Sequence, residues 1–201
     1  MRAESIVFAI AGIVFGFIVG WIVGAQQASQ SSPVATTASQ TLTPGATNQT
    51  RQPPVLDEGR VKVLTTIIEN DPEQADAKVQ LANLYYDAEQ FEDAIGWYEA
   101  ALVIDESNVD ASTDLGVSYY YTNQADRALK QFDYSLSIDP NHIATLLNQG
   151  IVRAFGKQDL GGAIISLERV VEVAPASQEA QVARQAIQSL EAVHSSDAGI
   201  D

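Results

Sequence analysis

The sequence predicts an all-α solenoid of stacked helical hairpins, preceded by one transmembrane helix and a disordered linker. Three observations predict it. From residue 57 onward the chain resembles itself at a fixed spacing of about 34 residues, the length of a two-helix unit that buries its apolar face by stacking on copies of itself. The run from Ile6 to Ala25 carries no charged or strongly polar side chain. Between these parts lies a stretch dominated by Gln, Thr, Ser and Pro, with no apolar periodicity.

Residues 1–5 form the N-terminus and residues 6–25 the transmembrane helix. A helix of that length spans roughly 30 Å, the thickness of a bilayer's hydrocarbon core. Arg2 and the α-amine precede the run, and the next basic residue is the distant Arg51. The positive-inside rule then puts residues 1–5 in the cytoplasm and everything after Ala25 outside it, on the periplasmic side of an inner (plasma) membrane. The competing reading is a signal peptide cleaved after Ala25, since Val23 and Ala25 are small enough for the peptidase; against it, the apolar run exceeds an ordinary signal core. Both readings export the repeats. Gly12, Gly16, Gly20 and Gly24 recur at every fourth position. They line a stripe on which two helices can approach closely, the pattern of right-handed pairing and of a homodimer. Glycine's general frequency in transmembrane helices is the alternative explanation.

Residues 26–56 form the linker, which contains six Gln, six Thr, four Ser and four Pro, with Arg51 as its single charge. Such a segment cannot bury enough surface to offset the entropy of ordering. Its coil dimension is on the order of 30 Å and its full reach about 105 Å. The triplet Asn48-Gln49-Thr50 matches a glycosylation sequon, which in a Thr-rich linker chance explains better.

The repeats occupy 75–108, 109–142 and 143–177. Aligned at the repeat spacing, the first two place Leu81 with Leu115, Ala82 with Gly116, Tyr85 with Tyr119, Ala94 with Ala128, Tyr98 with Phe132 and Ala101 with Ser135. These residues resemble the tetratricopeptide-repeat (TPR) signature. The third unit keeps Gly150, Ala163, Leu167 and Pro175 but carries one extra residue between Arg153 and Leu160. Each unit is read as two antiparallel helices whose crossing needs a small residue at the eighth and twentieth positions, because larger side chains would push the helices apart. Asp139-Pro140 and Ala174-Pro175 end second helices, where proline cannot continue the ladder. Lys78 and Ser112 stand where the family has an aromatic residue, Glu106 replaces a proline, and Gln149 and Arg153 are further departures.

Upstream, Val61, Leu64, Ile67 and Ile68 form a stripe over 57–72, with Leu64 lying one repeat length before Tyr98. This reads as the second helix of a half repeat. Downstream, Ala183, Ala186, Ile187, Leu190 and Val193 line one face of a capping helix over 178–193, while Gln178, Gln181, Gln185 and Gln188 face away, as a solvated end requires. Eight helices are expected after the linker, in a repeat domain over 57–194, with the tail 195–201 frayed.

The charge balance excludes some functions. The net charge is −15, and 25 of the 26 acidic residues lie from Asp57 onward. Such a surface repels phosphate backbones, so nucleic acid is excluded and basic or neutral partners are favoured. There is no cysteine, hence no disulfide, thiolate or Cys-ligated zinc. His142 and His194 have no second ligand at metal spacing, and no phosphate loop, hydrolase or paired-carboxylate motif appears. No catalytic residue, metal or cofactor is assigned, and the chain is read as a protein that is not an enzyme.

The TPR resemblance implies a ligand groove on the concave face of the first helices. Carried over position by position, its strip is Asp76, Val79, Asn83, Tyr86 and Asp87, then Asp110, Thr113, Val117, Tyr120 and Tyr121, then Ala144, Leu147, Ile151, Ala154 and Phe155. The partner-binding residues expected of these are Val79, Asn83, Tyr86, Val117, Tyr120, Tyr121, Leu147, Ile151 and Phe155; packing between units is the competing role for each ring. The carboxylate clamp of chaperone-tail receptors is not reproduced, because its places hold Val79, Asn83, Asp114, Ala144 and Asn148, without a lysine. The implied function is a membrane-anchored adaptor or scaffold whose groove binds a client or complex subunit in protein export or cytochrome c maturation. The alternative is a structural subunit of a larger cell-envelope secretion or pilus assembly.

Overall fold

The computed structural model describes residues 55–197. The chain divides into two units, Met1–Gln52 and Pro53–Asp201. The first unit, and with it the segment 6–25 and the glycines Gly12, Gly16, Gly20 and Gly24, lies outside the described residues. Among the described residues no helix is long and apolar enough to cross a membrane.

Among its described residues the second unit contains the eight helices expected: α1 Glu58–Asn70, α2 Ala75–Asp87, α3 Phe91–Leu102, α4 Val109–Tyr121, α5 Ala125–Ile138, α6 Ile143–Ile151, α7 Leu160–Val173 and α8 Gln178–Asp197. Four N-termini are capped by side chains: Asp57 accepts from the amide of Arg60, Asn108 from that of Ala111, Asp159 from that of Gly162, and Ser177 from that of Ala180. Each satisfies a donor that the first helical turn leaves open. Helices α1, α5 and α7 stop just before Asp71-Pro72, Asp139-Pro140 and Ala174-Pro175. Where Glu106 replaces the proline, α3 ends earlier, at Leu102. Helix α8 continues to Asp197, past the residue at which the sequence places the frayed tail.

Small residues sit at the crossings. Ala82, Ala94, Ala128 and Ala163 are wholly buried, and so are the rings of Tyr98 and Phe132 that fill the space beside them. A Cβ on Gly150 would meet the Leu167 side chain at 3.0 Å, so the third repeat is as tightly crossed as the sequence pattern demands.

The extra residue of the third repeat has a definite place. The hairpin turns of the first two repeats carry left-handed backbone at Glu89 (φ 57) and Asn123 (φ 61), and the third carries it at Gln158 (φ 58). In the first two turns Gln90 N–H donates to Tyr85 O and Gln124 N–H to Tyr119 O, each reaching back five positions. In the third, Asp159 N–H donates to Arg153 O, one position further back. The added residue is taken up by a π-helical turn, Val152–Gly156, that follows α6 directly, the usual form of a one-residue helix insertion.

Three departures from the family pattern, Ser112, Gln149 and Arg153, find hydrogen-bond partners inside the stack. Ser112, wholly buried where an aromatic residue is expected, shares a hydrogen bond with Ser135 (2.7 Å) and accepts from Gln131 Nε2 (2.7 Å). Gln149 donates to Asp133 (2.8 Å) and accepts from Ser166 Oγ (2.9 Å), while Arg153 donates to Gly162 O and Ser166 Oγ. Thr113 and Thr145 join hydroxyls at 2.6 Å across the second and third repeats. Among the described residues no buried side-chain polar atom lacks a partner, as stable burial of polar groups requires. Beside this hydroxyl and amide layer the buried apolar residues fall into distinct clusters, one built on Tyr98, Leu115 and Phe132 and another on Leu146, Leu167, Val170 and Ala183.

Candidate functional site

Helices α2, α4 and α6 are the first helices of the three repeats, and their shared face carries the residues singled out in the sequence. The structure divides those residues into three groups. Val117, Leu147 and Ala154 are buried, at 8%, 9% and 6% exposure, and Thr113 is closed off by Thr145; these contribute packing in the free protein. Val79, Asn83, Tyr86, Tyr120, Tyr121, Ile151 and Phe155 are half-buried, with part of each side chain open. Asp76, Asp87, Asp110 and Ala144 are exposed.

The rings are brought together by a residue outside the predicted strip. Phe91, the first residue of α3, stacks on Tyr121 with centroids 4.4 Å apart and planes 10° from parallel, and meets Tyr86 edge-on at 5.4 Å. Tyr120 and Tyr121 lie 6.0 Å apart. The arrangement ties the first hairpin to the second through offset and edge contacts, the favoured geometries of aromatic pairs. The hairpin turn at Glu89 folds Phe91 back over the preceding turn of α2. Its belonging to a second helix hid it from a reading confined to first-helix positions.

Beneath Tyr86 lies a polar group centred on Asn83, Tyr98 and Asp114. The buried Tyr98 hydroxyl donates to Asn83 Oδ1 at 2.6 Å, and the Asp114 carboxyl lies near that hydroxyl. Burial, with Asp110 and Asp87 nearby, pushes the Asp114 carboxyl up to about 7, and the neighbouring Tyr98 hydroxyl only partly opposes this. Burial and the negative charge of Asp114 push the Tyr86 and Tyr98 phenols upward as well. Burial raises Asp87, against the pull of Arg60. Like charges disfavour ionisation of one another and burial removes the water that would stabilise it. Asp114 stands four residues after Asp110 on α4, a spacing that puts both on one helix face. That spacing was the available signal for the pair.

His142 joins the second repeat to the third. Its Nε2 lies 3.1 Å from Asp110 Oδ1, and its Nδ1 lies 2.7 Å from Thr145 Oγ1. An acid, an imidazole and a hydroxyl in a row resemble a nucleophile's relay, but Thr145 has no exposed surface. No substrate reaches that hydroxyl, so the row serves as a strap between repeats.

Residues 82–123 match the family model described as a TPR repeat. No curated protein matches the chain significantly. Among solved structures, the first TPR of Spaghetti (RPAP3) bound to the HSP90 peptide SRMEEVD is 20% identical, with 62% of this chain and 96% of that one covered and a TM-score of 0.56. MamA is 16% identical over 66% and 76% of the two chains, at a TM-score of 0.57. The Yersinia enterocolitica type III secretion chaperone SycD, in complex with a peptide of the translocator YopD, is 18% identical over 59% and 93%, at 0.55. The second unit is therefore an all-helical TPR solenoid.

Proposed function

We propose that this TPR protein is an interaction adaptor that holds a segment of another protein against α2, α4 and α6. The observation that carries the reading is the half-open aromatic set Tyr86, Tyr120 and Tyr121 on the first helices of a TPR solenoid and Phe155 on the π-helical turn that extends the third. Aromatic side chains give large contact area at low entropic cost, and hot spots of protein interfaces are enriched in them. Peptides bound by RPAP3 and SycD, whose folds are similar, support the same use of this one. The uncharged run Ile6–Ala25 supports anchoring in an inner membrane with the repeats on its outer side, and the stripe Gly12, Gly16, Gly20 and Gly24 supports pairing of two anchors. Protein export or cytochrome c maturation suits an adaptor so placed.

A photo-crosslinking residue at position 120 of the full chain, expressed in a bacterial membrane, tests the reading. Capture of a defined set of proteins is expected, with the set lost when Phe155 is changed to Ala. A probe at Glu92, exposed on the second helix α3, that captures the same set would end the groove assignment. Alkaline extraction and a periplasm-dependent reporter fused after Asp201 test the anchor: release of the chain, or a silent reporter, would remove it.

A further inference from the structure

We propose that the groove selects a basic segment, seating a lysine ammonium or arginine guanidinium of the partner between α2 and α4 against the carboxylates of Asp114, Asp110 and Asp87. The inference rests on the groove reading and adds the charge of its occupant.

The inner helices carry more acids than cations. Helices α2 and α4 carry Asp76, Asp87, Asp110 and Asp114. Three cations belong to these helices and the turn after α6, and all three are engaged within the solenoid: Lys78 Nζ donates to Pro72 O at 2.6 Å, Arg153 to Gly162 O at 3.0 Å, and Lys157 pairs with Asp126 at 2.7 Å. The charged and titratable groups around Asp114 are Asp110 on its own helix, Asp87 and Tyr86 on α2, and Tyr98 on α3, with His142 beyond Asp110 and Arg60 beyond Asp87. Asp110 and Asp114 lie one helical turn apart on α4 and Asp87 is the last residue of α2, and the charges of Asp110 and Asp87 both act on Asp114. Attraction for an incoming cation is stronger there than on an open surface, because the site is partly withdrawn from water.

The walls suit the rest of such a side chain. Tyr86, Tyr120 and Tyr121 offer ring faces and edges to an aliphatic stem or a guanidinium plane, and the half-open Asn83 and Asn148 offer amides to the segment's backbone. A carboxylate meets the reverse conditions. RPAP3 has a similar fold and holds the acidic peptide SRMEEVD, but here the centre of the groove holds Asp114, so the polarity of the ligand is inverted.

The test uses the full chain in detergent micelles and fluorescence anisotropy with four labelled dodecapeptides. They share the same Leu and Tyr residues and differ in carrying Lys, Arg, Gln or Glu at four fixed places. The Lys and Arg peptides should bind at least tenfold tighter than the Gln peptide, and the Glu peptide most weakly. Changing Asp110→Asn and Asp114→Asn together should bring the Lys peptide down to the Gln level and leave the Gln peptide unmoved; Asp110→Asn alone, on the surface, should remove part of the preference. Lowering the pH from 8 to 5.5 should narrow the preference, as Asp114 takes up its proton. Equal binding of Lys and Gln peptides, both weakened by Tyr120→Ala, would overturn the charge inference while keeping the groove. A preference for Lys that survives the double variant would place the recognition on the acidic outer surface and overturn it too. Peptides indifferent to both Tyr120→Ala and Phe155→Ala would take the groove reading down with it.

Discussion

A Cβ built on Gly116 would lie 2.5 Å from Cε1 of Phe132. The contact is closer than real side chains show, so α4 and α5 approach as they do only because residue 116 has no side chain. Gly116→Ala should cost about 1–3 kcal/mol, and Gly116→Leu more, because a packed crossing has nowhere to move the Phe132 ring. Gly96, with nothing within 4 Å of its missing Cβ, gives the contrast. There Gly96→Ala should stabilise α3 by about 0.5–1 kcal/mol through helix propensity alone. Urea melts of the variants check both signs.

Asp114 makes stability depend on pH. Its carboxyl rises from an ordinary 3.8 to about 7 in the fold, so the folded chain holds this proton more tightly than the unfolded chain does. The stabilising contribution is full below pH 4, is lost as pH rises toward 7, and is absent above it. The loss is at most on the order of 4 kcal/mol. Asp114→Asn should flatten the profile over that window and melt higher than the unaltered protein at pH 8. Thermal melts from pH 4 to 8 measure it, with the exposed Asp93→Asn as control; identical profiles for the two variants would refute the assignment.

The left-handed turn residues are a second source of strain. Glu89 and Gln158 hold φ near 57 and 58, a region that costs a side chain roughly 1–2 kcal/mol. Glycine adopts it freely but is more disordered when unfolded. Glu89→Gly and Gln158→Gly should each stabilise by up to about 1 kcal/mol, whereas Asn123→Gly should change little, since asparagine tolerates the conformation. Denaturant midpoints of the three variants give the comparison.

Ser166 connects the two unusual residues of the third repeat, donating to Gln149 and accepting from Arg153. Ser166→Ala leaves the buried Gln149 oxygen without that donor and should cost about 1–3 kcal/mol. Gln149→Leu made together with Ser166→Ala should recover much of the loss, because it removes the stranded amide. A double-mutant cycle on stability reads the coupling directly.

Much of the stack was legible because its rule is periodic. Ala82 and Gly116, Ala94 and Ala128, Tyr98 and Phe132 recur at a fixed spacing, and small and large residues at those places allow few other packings. The side-chain layer around Ser112 was illegible for the opposite reason. Ser135 and Gln131 satisfy it from a different helix, and nothing in a one-dimensional period pairs such residues. The groove was legible in outline only. Tyr86 and Tyr121 were found from their repeat positions, but the ring that unites them, Phe91, enters from a second helix across a turn. The burial of Val117 and Leu147 follows from neighbours that the repeat pattern does not rank.

The hydroxyl and amide layer between the second and third repeats gives the stack two kinds of seam with opposite thermal character. Exposure of apolar surface raises the heat capacity and exposure of polar surface lowers it. The seams built on Tyr98 and Phe132 therefore weaken on cooling, whereas the seam joined by Thr113, Thr145, Gln149 and Asp133 loses less. In a linear array each joint contributes separately to the whole. The weakest joint accordingly shifts along the stack with temperature: toward the aromatic end in the cold, and toward the hydrogen-bonded middle as the chain warms.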